Sequence, residues 1–378
     1  MEELPGLAVD RLQIFEQEGT KLPPKSHAPV DKYYDALLTG NVKNLAALID
    51  QYYEDVNVVF EINKNELEWQ VQSPAAYGLS GLWSLEYKRE LTTPLCISAS
   101  RGHTACLRHL LFWRADPNAA PGGRTALHEA CEGGHTECVE LLLEHKANAN
   151  LLSDDGRAPL HLCTRQDTLG ACLKSLVYLM TNCMNLPSEE AQETPLHIAA
   201  KYGLYDHVKL YLRYGATVDK KNSLEETALS VACREAKDVE SQENYMQVCK
   251  LLLAYGADVN TVDEEVKTPL HKACKNAHHG LVQLLLQMKA DVNAIDYNGA
   301  YPLSCVLQTA AFKQEWKPHL TVQTLLNHGS QKICPTAFFK VLKSCSSVPK
   351  IIEILYNSYP HLPMSEKWIE VIPNEVFQ

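Results

Sequence analysis

Residues 268–293 read TPLHKACKNAHHGLVQLLLQMKADVN and contain two signatures that recur along the chain. The first, T-P-L-H, returns in related forms that begin at residues 93, 125, 158, 194, 227 and 301, at spacings of 32 to 41 residues. The second, L-L-x-x-x-A-x-x-N, follows after about twenty residues and recurs at 110–118, 142–150 and 252–260. Similarity at a fixed period is typical of a repeat solenoid, in which each repeat buries its apolar face against its neighbours.

Each recurrent position has a physical role in a pair of short helices. Thr is a favoured N-cap residue and Pro fits the first turn, so T-P predicts the beginning of the first helix. Gly102 and Gly134 fit a turn that requires a positive φ, and Gly215 and Gly256 are placed to end the second helix. Segments such as 153–157 (SDDGR) are typical of a tight hairpin turn.

This combination of positions resembles the ankyrin repeat. The resemblance implies an all-α repeat solenoid of about seven to eight helix-turn-helix units, joined by hairpin loops and closed by a helical C-terminal cap. It also implies that the histidine of T-P-L-H bonds to the backbone across the junction with a neighbouring repeat.

The repeat pattern divides the chain into five parts. We expect a flexible N-terminal segment, a divergent first repeat, an aromatic insert, the ankyrin repeats and a helical C-terminal cap, at residues 1–32, 33–57, 58–91, 92–333 and 334–378. Two longer spacings interrupt the period. The charged segment 234–247 predicts an extension of a first helix with a longer loop, and segment 180–193 predicts a lengthened hairpin.

Composition narrows the class of protein. The formal net charge of −11 argues against a general nucleic-acid binder, which needs a basic field. The N-terminus has no basic region followed by an apolar one, and no apolar window is long enough to span a membrane. The 13 cysteines therefore indicate reduced thiols, and we expect a cytoplasmic protein, with the nucleus as an alternative.

The segment HEACEGGHTEC (128–138) places two histidines and two cysteines within metal-ligand spacing. The other repeats contradict a zinc site, because the position of Cys131 is occupied elsewhere by residues that cannot all be ligands: Ala99, Thr164, Ala200, Cys233, Cys274 and Leu307. Packing cysteines explain the segment better. The sequence also contains none of the common nucleotide, hydrolase or metalloprotease motifs, so we expect no enzyme activity, no cofactor and no metal.

Residues 82–111 and 324–359, together with the insert, resemble the ankyrin repeat and suppressor-of-cytokine-signalling (SOCS) box family. Members of that family are substrate receptors of ubiquitin ligases: the ankyrin array binds the protein to be ubiquitinated, and a C-terminal box recruits elongin B, elongin C and a cullin. The box motif L-x-x-x-C occurs at the starts of repeats, at Leu127–Cys131, Leu229–Cys233 and Leu270–Cys274, where its Leu and Cys belong to the stack. The chain ends at IEVIPNEVFQ, where the connection to a box would begin.

Two functions remain open at this stage. The chain is either a truncated or short form of the substrate-recognition subunit of an elongin- and cullin-dependent ligase, whose longer form carries the box, or it acts without the ligase. In the second case it is an interaction scaffold or a box-less competitor isoform that binds the same substrate and protects it. Both predict a protein partner, and neither predicts a nucleic acid or a membrane. A capped solenoid has no exposed strand edge, so we expect a monomer.

The candidate partner contacts fall in two groups. Aromatic residues are enriched in binding hot spots, so Trp69, Trp83 and Tyr87 of the insert either contact a partner or pack the insert onto the repeats. The second group lies at the predicted hairpin tips, and its carboxylates suggest a basic partner surface: Arg124, Asp154, Asp155, Arg157, Asp263, Glu264, Glu265, Asp296 and Tyr297.

Overall fold

The structure is a computed structural model that describes residues 11–15, 28–53, 55–73, 82–179, 183–238, 240–334 and 338–359. The chain forms two compact units. Unit 1 comprises residues 1–163 and 167–183, and unit 2 comprises residues 164–166 and 184–378.

Unit 1 contains seven α-helices and a three-stranded sheet among its described residues. The helices are α1 (Val30–Thr39), α2 (Val42–Tyr52), α3 (Pro94–Ser100), α4 (Thr104–Phe112), α5 (Ala126–Gly133), α6 (Thr136–Glu144) and α7 (Leu169–Leu179). The strands are β1 (Arg11–Phe15), β2 (Val59–Ser73) and β3 (Leu82–Thr92).

Unit 2 consists mainly of helix pairs. Its helices are α8 (Pro195–Lys201), α9 (Tyr205–Arg213), α10 (Ala228–Glu235), α11 (Gln242–Ala254), α12 (Pro269–Lys275), α13 (His279–Gln287), α14 (Pro302–Thr309), α15 (Pro318–Asn327), α16 (Phe338–Cys345) and α17 (Pro349–Asn357). Short 3₁₀ helices occur at Cys183–Asn185 and Gln314–Trp316.

The stretch 268–293 forms the helix pair that its pattern predicts. Thr268 accepts a hydrogen bond from the His271 amide at 3.4 Å and caps α12, with Pro269 in the first turn. Helix α13 buries its apolar stripe, which consists of Leu281, Val282, Leu285 and Leu286. One helix pair cannot enclose such a stripe by itself, so stacking against the next pair is what stabilises each repeat.

The predicted histidine bonds are present in both units. In unit 2 the Nδ1 atom of His271 accepts from the Thr268 amide at 3.1 Å, and the Nε2 atom lies 3.1 Å from the carbonyl oxygen of Ala300. An acceptor role for Nδ1 places the ring proton on Nε2, which therefore donates to the next hairpin. His128 in unit 1 makes the equivalent bond to Arg157 at 2.9 Å.

The insert is a β-hairpin, which the all-α description does not include. Strand β2 pairs antiparallel with both β1 and β3, and β1 lies in the segment that the sequence analysis assigned to a flexible terminus. Alternating polar and apolar residues from 66 to 73 (ELEWQVQS) have the period of a strand. The buried ring of Phe60 packs against Tyr33 and Tyr34, which attaches this sheet to α1.

The longer spacings are accommodated differently from one another. The predicted extension of the first helix at 234–247 is wrong: α10 ends at Glu235, and the second helix α11 is lengthened to 13 residues. Its added turn is held by Tyr245, whose hydroxyl donates to the Lys201 carbonyl at 2.8 Å. The hairpin at 188–193 is lengthened as predicted, with the Ser188 amide bonded to the Glu193 carbonyl at 2.9 Å.

The repeat that begins at Ala158 has a 3₁₀ turn, Pro159–Leu162, in place of a first α-helix. Alanine has no side-chain oxygen to accept from the third amide of a helix, so this turn lacks the cap that Thr provides elsewhere. The described part of the cap, in contrast, forms the predicted helix pair α16 and α17, which buries Phe338, Leu342 and Leu355.

The segment 128–138 is structural. His128 uses both ring nitrogens for backbone bonds, and Nε2 of His135 lies 3.0 Å from the Ser100 carbonyl. Cys131 and Cys138 are buried. Within the described residues, no group of three or more His, Cys, Asp or Glu side chains is arranged to hold a metal ion, and no helix is long and apolar enough to cross a membrane.

Candidate protein-interaction surface

The hairpins that follow the second helices are built around one polar residue each. The Asp296 carboxylate accepts from the amides of Asn298 and Ala300 at 2.9 and 2.7 Å. Asn222, Asp263 and Ser153 make bonds of the same kind in their own turns. Such side chains replace backbone partners in a tight turn, so the next residues are left pointing outward as a tip.

In unit 2, neighbouring tips are joined by backbone hydrogen bonds. The Ser223 amide donates to Ala191, the Glu264 amide to Leu224 and the Tyr297 amide to Glu265, at 2.9, 3.2 and 2.9 Å. The tips are therefore held in register as one ribbon, which we call the unit 2 tip row (residues 222–226, 263–267 and 296–300). A row fixed by its backbone presents side chains to a partner at little entropic cost.

The unit 1 candidates lie together at two neighbouring tips. The Asp154 amide donates to the Gly123 carbonyl at 3.1 Å, and Arg157 lies 3.4 Å from the exposed Asp155 carboxylate. Arg124 forms ion pairs with Glu129 at 3.1 Å and with Glu132. Asp154, Asp155 and Arg157 are exposed, whereas Arg124 is partly committed to these internal pairs.

Two of the unit 2 candidates have internal roles. Asp296 is only 6% exposed and forms the turn described above, so little of its side chain is available to a partner, and its role as a partner contact stays a prediction. The Asp263 side chain is 10% exposed and bonds to Lys272 as well as to its own turn. Glu264, Glu265 and Tyr297 are exposed, as expected for contact residues, and Tyr297 is 81% exposed.

At the base of the unit 2 tip row lies a charge cluster formed by Glu226, Asp263 and Lys272, whose side chains are at most 10% exposed, and by the partly exposed Arg234. We call it the buried charge cluster. The Lys272 ammonium lies 2.6 Å from the Glu226 carboxylate, 2.7 Å from that of Asp263 and 2.8 Å from the Ser230 hydroxyl. Arg234 bonds the second Glu226 oxygen at 2.7 Å. The cluster connects two successive hairpins to helix α12.

For Asp263 in this cluster, hydrogen bonding and charge pairing together affect the pKa more than burial does. Burial by itself raises the pKa of the Asp263 carboxyl, but hydrogen bonds from Lys272 and from backbone amides outweigh burial and hold the pKa below its ordinary value. The cluster was detectable in the sequence. Lys272 follows T-P-L-H at a position that is apolar in most other repeats, such as Ile97, Ile198 and Val231, although the repeat at 125 has Glu129 there. A buried lysine at such a position needs partners.

The exposed apolar residues of the tip row were not predicted from the sequence. Leu224 and Val266 are 46% and 41% exposed and lie in the turns already singled out for their charges. Val266 has a φ of +59°, at a position where Gly156 and Gly299 stand in other hairpins. A β-branched residue in this region is strained, and such strain concentrates at functional sites.

The aromatic candidates of the insert are placed only by their backbone. Trp69 is the register partner of Leu85, and Trp83 and Tyr87 are the partners of Val71 and Leu67. The side chains of Trp69, Trp83 and Tyr87 lie outside the described residues, so their predicted role stays a prediction.

Most cysteines of the described residues are packing residues. Within the described part of the chain eleven cysteines are buried and Cys334 is exposed. Burial raises the pKa of Cys96, Cys305 and Cys345 to about 11. A nucleophilic cysteine needs the opposite shift, toward the thiolate.

The sequence matches ankyrin families over most of the repeats. The ankyrin repeat family in its three-copy form matches residues 95–183 and 238–337, and the single ankyrin repeat matches residues 192–223. The crystal structure of the human ASB11 ankyrin repeat domain covers 64% of this chain and all of that chain, with a TM-score of 0.53 and 23% identity. The ankyrin repeat solenoid is thus confirmed, and ankyrin repeats imply protein–protein interaction.

Three relatives extend the similarity over nearly the whole chain. Human ankyrin repeat and SOCS box protein 18 is 56% identical over 342 residues, which are 90% of this chain and 73% of that protein. Human ankyrin repeat and SOCS box protein 16 is 39% identical, over 91% and 73% of the two chains. Mouse ankyrin repeat and SOCS box protein 10 is 39% identical, over 93% and 76%. The chain therefore belongs to the ankyrin repeat and SOCS box family.

Proposed function

We propose that the chain is the substrate-recognition part of an elongin- and cullin-dependent ubiquitin ligase, and that its unit 2 tip row binds the substrate. The row carries the proposal because it combines three properties of binding surfaces. Its backbone is fixed, it exposes Tyr297, Leu224 and Val266 to solvent, and it surrounds them with carboxylates.

The charges of the row suggest the chemistry of the substrate. Glu225, Glu264 and Glu265 are exposed, and Glu225 and Glu265 form ion pairs with Lys221 and Lys267. Apolar tips among carboxylates fit a substrate segment that presents apolar and basic side chains. The role proposed for the chain is binding, with no catalytic step of its own, in the cytoplasm or the nucleus.

Recruitment of the ligase is tested by co-purification. A version of the chain extended by its natural downstream sequence is expected to capture elongin B, elongin C and a cullin from cells, and residues 1–378 are the matched control. An extended version that captures none of these proteins would contradict the ligase role.

Substrate binding by the row is tested separately. Replacement of Tyr297, Leu224 and Val266 by alanine is expected to abolish capture of the target while elongin capture by the extended version persists. The control is Tyr255→Ala, because Tyr255 is 48% exposed at the end of α11, outside the row.

A second function is that of an interaction scaffold without the ligase. It is favoured if residues 1–378 bind the target stably and the extended version does not change the lifetime of that target in cells. Both functions use the same tip row, so the alanine variant weakens target binding in either case.

A further inference from the structure

The C-terminal end of unit 2 has a charge opposite to that of the chain. The whole sequence has 46 acidic residues and 35 Lys and Arg. Residues 310–359 contain only Glu315 and Glu353 as carboxylates, and six lysines: Lys313, Lys317, Lys332, Lys340, Lys343 and Lys350. A local basic field on an acidic protein attracts acidic partners and raises the rate of their association.

An apolar pocket of about 330 Å³ opens within this basic region, between α14 and α16. Its apolar wall consists of Leu303, Leu307, Ile333 and Val341. The ammonium-bearing side chains of Lys332 and Lys340 stand at its edge, and both residues are exposed. An aliphatic lining suits one large apolar side chain.

A polar groove of about 510 Å³ adjoins the pocket, between α15 and α17. His319, Gln323 and Lys350 contribute to its lining, and Glu353 is the one carboxylate there. Lys332 lines both cavities, so they form one surface. We call the pocket and the groove together the C-terminal basic surface.

Most lysines at this end of unit 2 have no carboxylate partner among the described residues. In the part of the chain that the structure describes, Lys340, Lys343 and Lys350 form no salt bridge, in contrast to Lys272 of the buried charge cluster. Lys332 donates to the Ser358 carbonyl at the end of α17 and lies 5.3 Å from the Tyr359 ring centroid, which fixes it at the boundary of the two cavities.

We propose that the C-terminal basic surface binds an acidic segment of a partner protein, with one large apolar side chain in the pocket and carboxylates on Lys332, Lys340 and Lys350. A protein segment fits better than a nucleic acid. Single-stranded nucleic acids bind by stacking successive bases on several aromatic side chains. The lining of this pocket has one aromatic residue, Tyr301, beside its leucine, isoleucine and valine residues. This site is separate from the unit 2 tip row, and the proposal does not depend on the ligase role.

The test is fluorescence-anisotropy binding to residues 1–378, with three labelled probes. The first is a short peptide with glutamates on both sides of a central tryptophan. The second replaces its glutamates by glutamine, and the third is an oligothymidine strand. We expect only the glutamate peptide to bind, with an affinity that falls as salt is raised to about 0.15 M.

Two variants locate the binding. Lys340→Glu is expected to lower the affinity for the glutamate peptide by about fivefold or more, because it replaces an attraction between charges by a repulsion. The matched control is Lys250→Glu on α11, which is exposed in the same unit and should change nothing. Val341→Gln alters only the apolar wall of the pocket. It is expected to lower the affinity for the glutamate peptide without changing the thermal unfolding midpoint of the protein.

Four results would overturn the proposal. They are equal binding of the glutamate and glutamine peptides, equal effects of Lys340→Glu and Lys250→Glu, and tighter binding of the oligothymidine than of the peptide. The fourth is peptide binding only after removal of residues 360–378. That segment contains Glu366, Trp368 and Glu370, so the chain's own terminus would then be the occupant.

Discussion

Replacement of Lys272 by alanine tests whether the buried charge cluster fastens the hairpins of unit 2 to their helices. The Lys272 side chain is 7% exposed, and it neutralises Glu226 and Asp263 at 2.6 and 2.7 Å. Glu226 is 3% exposed, so the variant leaves its buried negative charge with one positive partner fewer. Removal of one partner from a buried pair costs about 3–5 kcal/mol.

The expected cost is at the lower end of that range, about 3 kcal/mol. Glu226 keeps its 2.7 Å bond to Arg234, and Asp263 keeps the backbone amide of Lys267 at 2.8 Å. For a unit of this size, such a loss corresponds to a fall in the thermal midpoint of roughly 6–12 °C.

The assay is urea and thermal unfolding followed by circular dichroism, with Lys275→Ala as the matched control. Lys275 lies on the same helix, is exposed and forms no salt bridge in the described structure, so its replacement should cost less than about 0.5 kcal/mol. Equal effects of the two substitutions, or a loss below about 1 kcal/mol for Lys272→Ala, would refute the reasoning.

Three further predictions concern the repeats. Burial lowers the pKa of His271 despite its bond to Ala300, so the folded state resists protonation; stability is complete above the ordinary value of about 6.5 and falls as pH drops below it. The denaturant midpoint should therefore be lower at pH 5.5 than at pH 7.5, and His271→Gln should reduce this difference; an unchanged difference would contradict the neutral buried ring. Val266→Gly relieves a β-branched residue at a φ of +59° and should raise the free energy of unfolding by up to about 1 kcal/mol, whereas Val262→Gly, the control at a neighbouring exposed position, should not raise it. Cys131→Ala should leave the metal content at zero and cost on the order of 1 kcal/mol, and stoichiometric zinc that is lost on this substitution would show that the segment 128–138 is a metal site after all.

The repeats were predictable because their helix starts depend on local chemistry. Thr268 and Pro269 favour a helix N-terminus by local chemistry, and at least one of these two residue types recurs at every anchor. The bond from His271 to Ala300 followed from the family resemblance, since nothing local in T-P-L-H indicates which carbonyl lies opposite the ring.

The insert and the repeat that contains segment 234–247 were harder to predict, because contacts between residues that are distant in the sequence decide their structure. The alternation at 66–73 indicates a strand, and that stretch pairs with the nearby β3. Strand β1 pairs instead with residues 59–63 of β2, lies about fifty residues earlier and has only five residues (RLQIF), too few to indicate where it pairs. In the long repeat, charged residues from 234 to 247 fit either helix of the pair. Burial of Tyr245 against the Lys201 carbonyl decides in favour of α11.

The hairpins of unit 2 show why the presence of charged residues in a segment does not by itself identify the residues that contact a partner. Asp296 and Glu264 both lie in acidic hairpin segments, but a residue that begins a turn bonds to the backbone, whereas the next residue points outward. The position within the turn therefore separates structural carboxylates from exposed ones. This rule would have retained Glu264, Glu265 and Tyr297 and removed Asp296.

The central claim is that the unit 2 tip row contacts the protein partner. The most direct measurement places a photoreactive amino acid at position 297 of the row or at position 255 outside it, and identifies the cross-linked proteins from cells. We predict a strong cross-link to one target from position 297 and none to that target from position 255. Cross-links to the same target from position 255 alone would contradict the account.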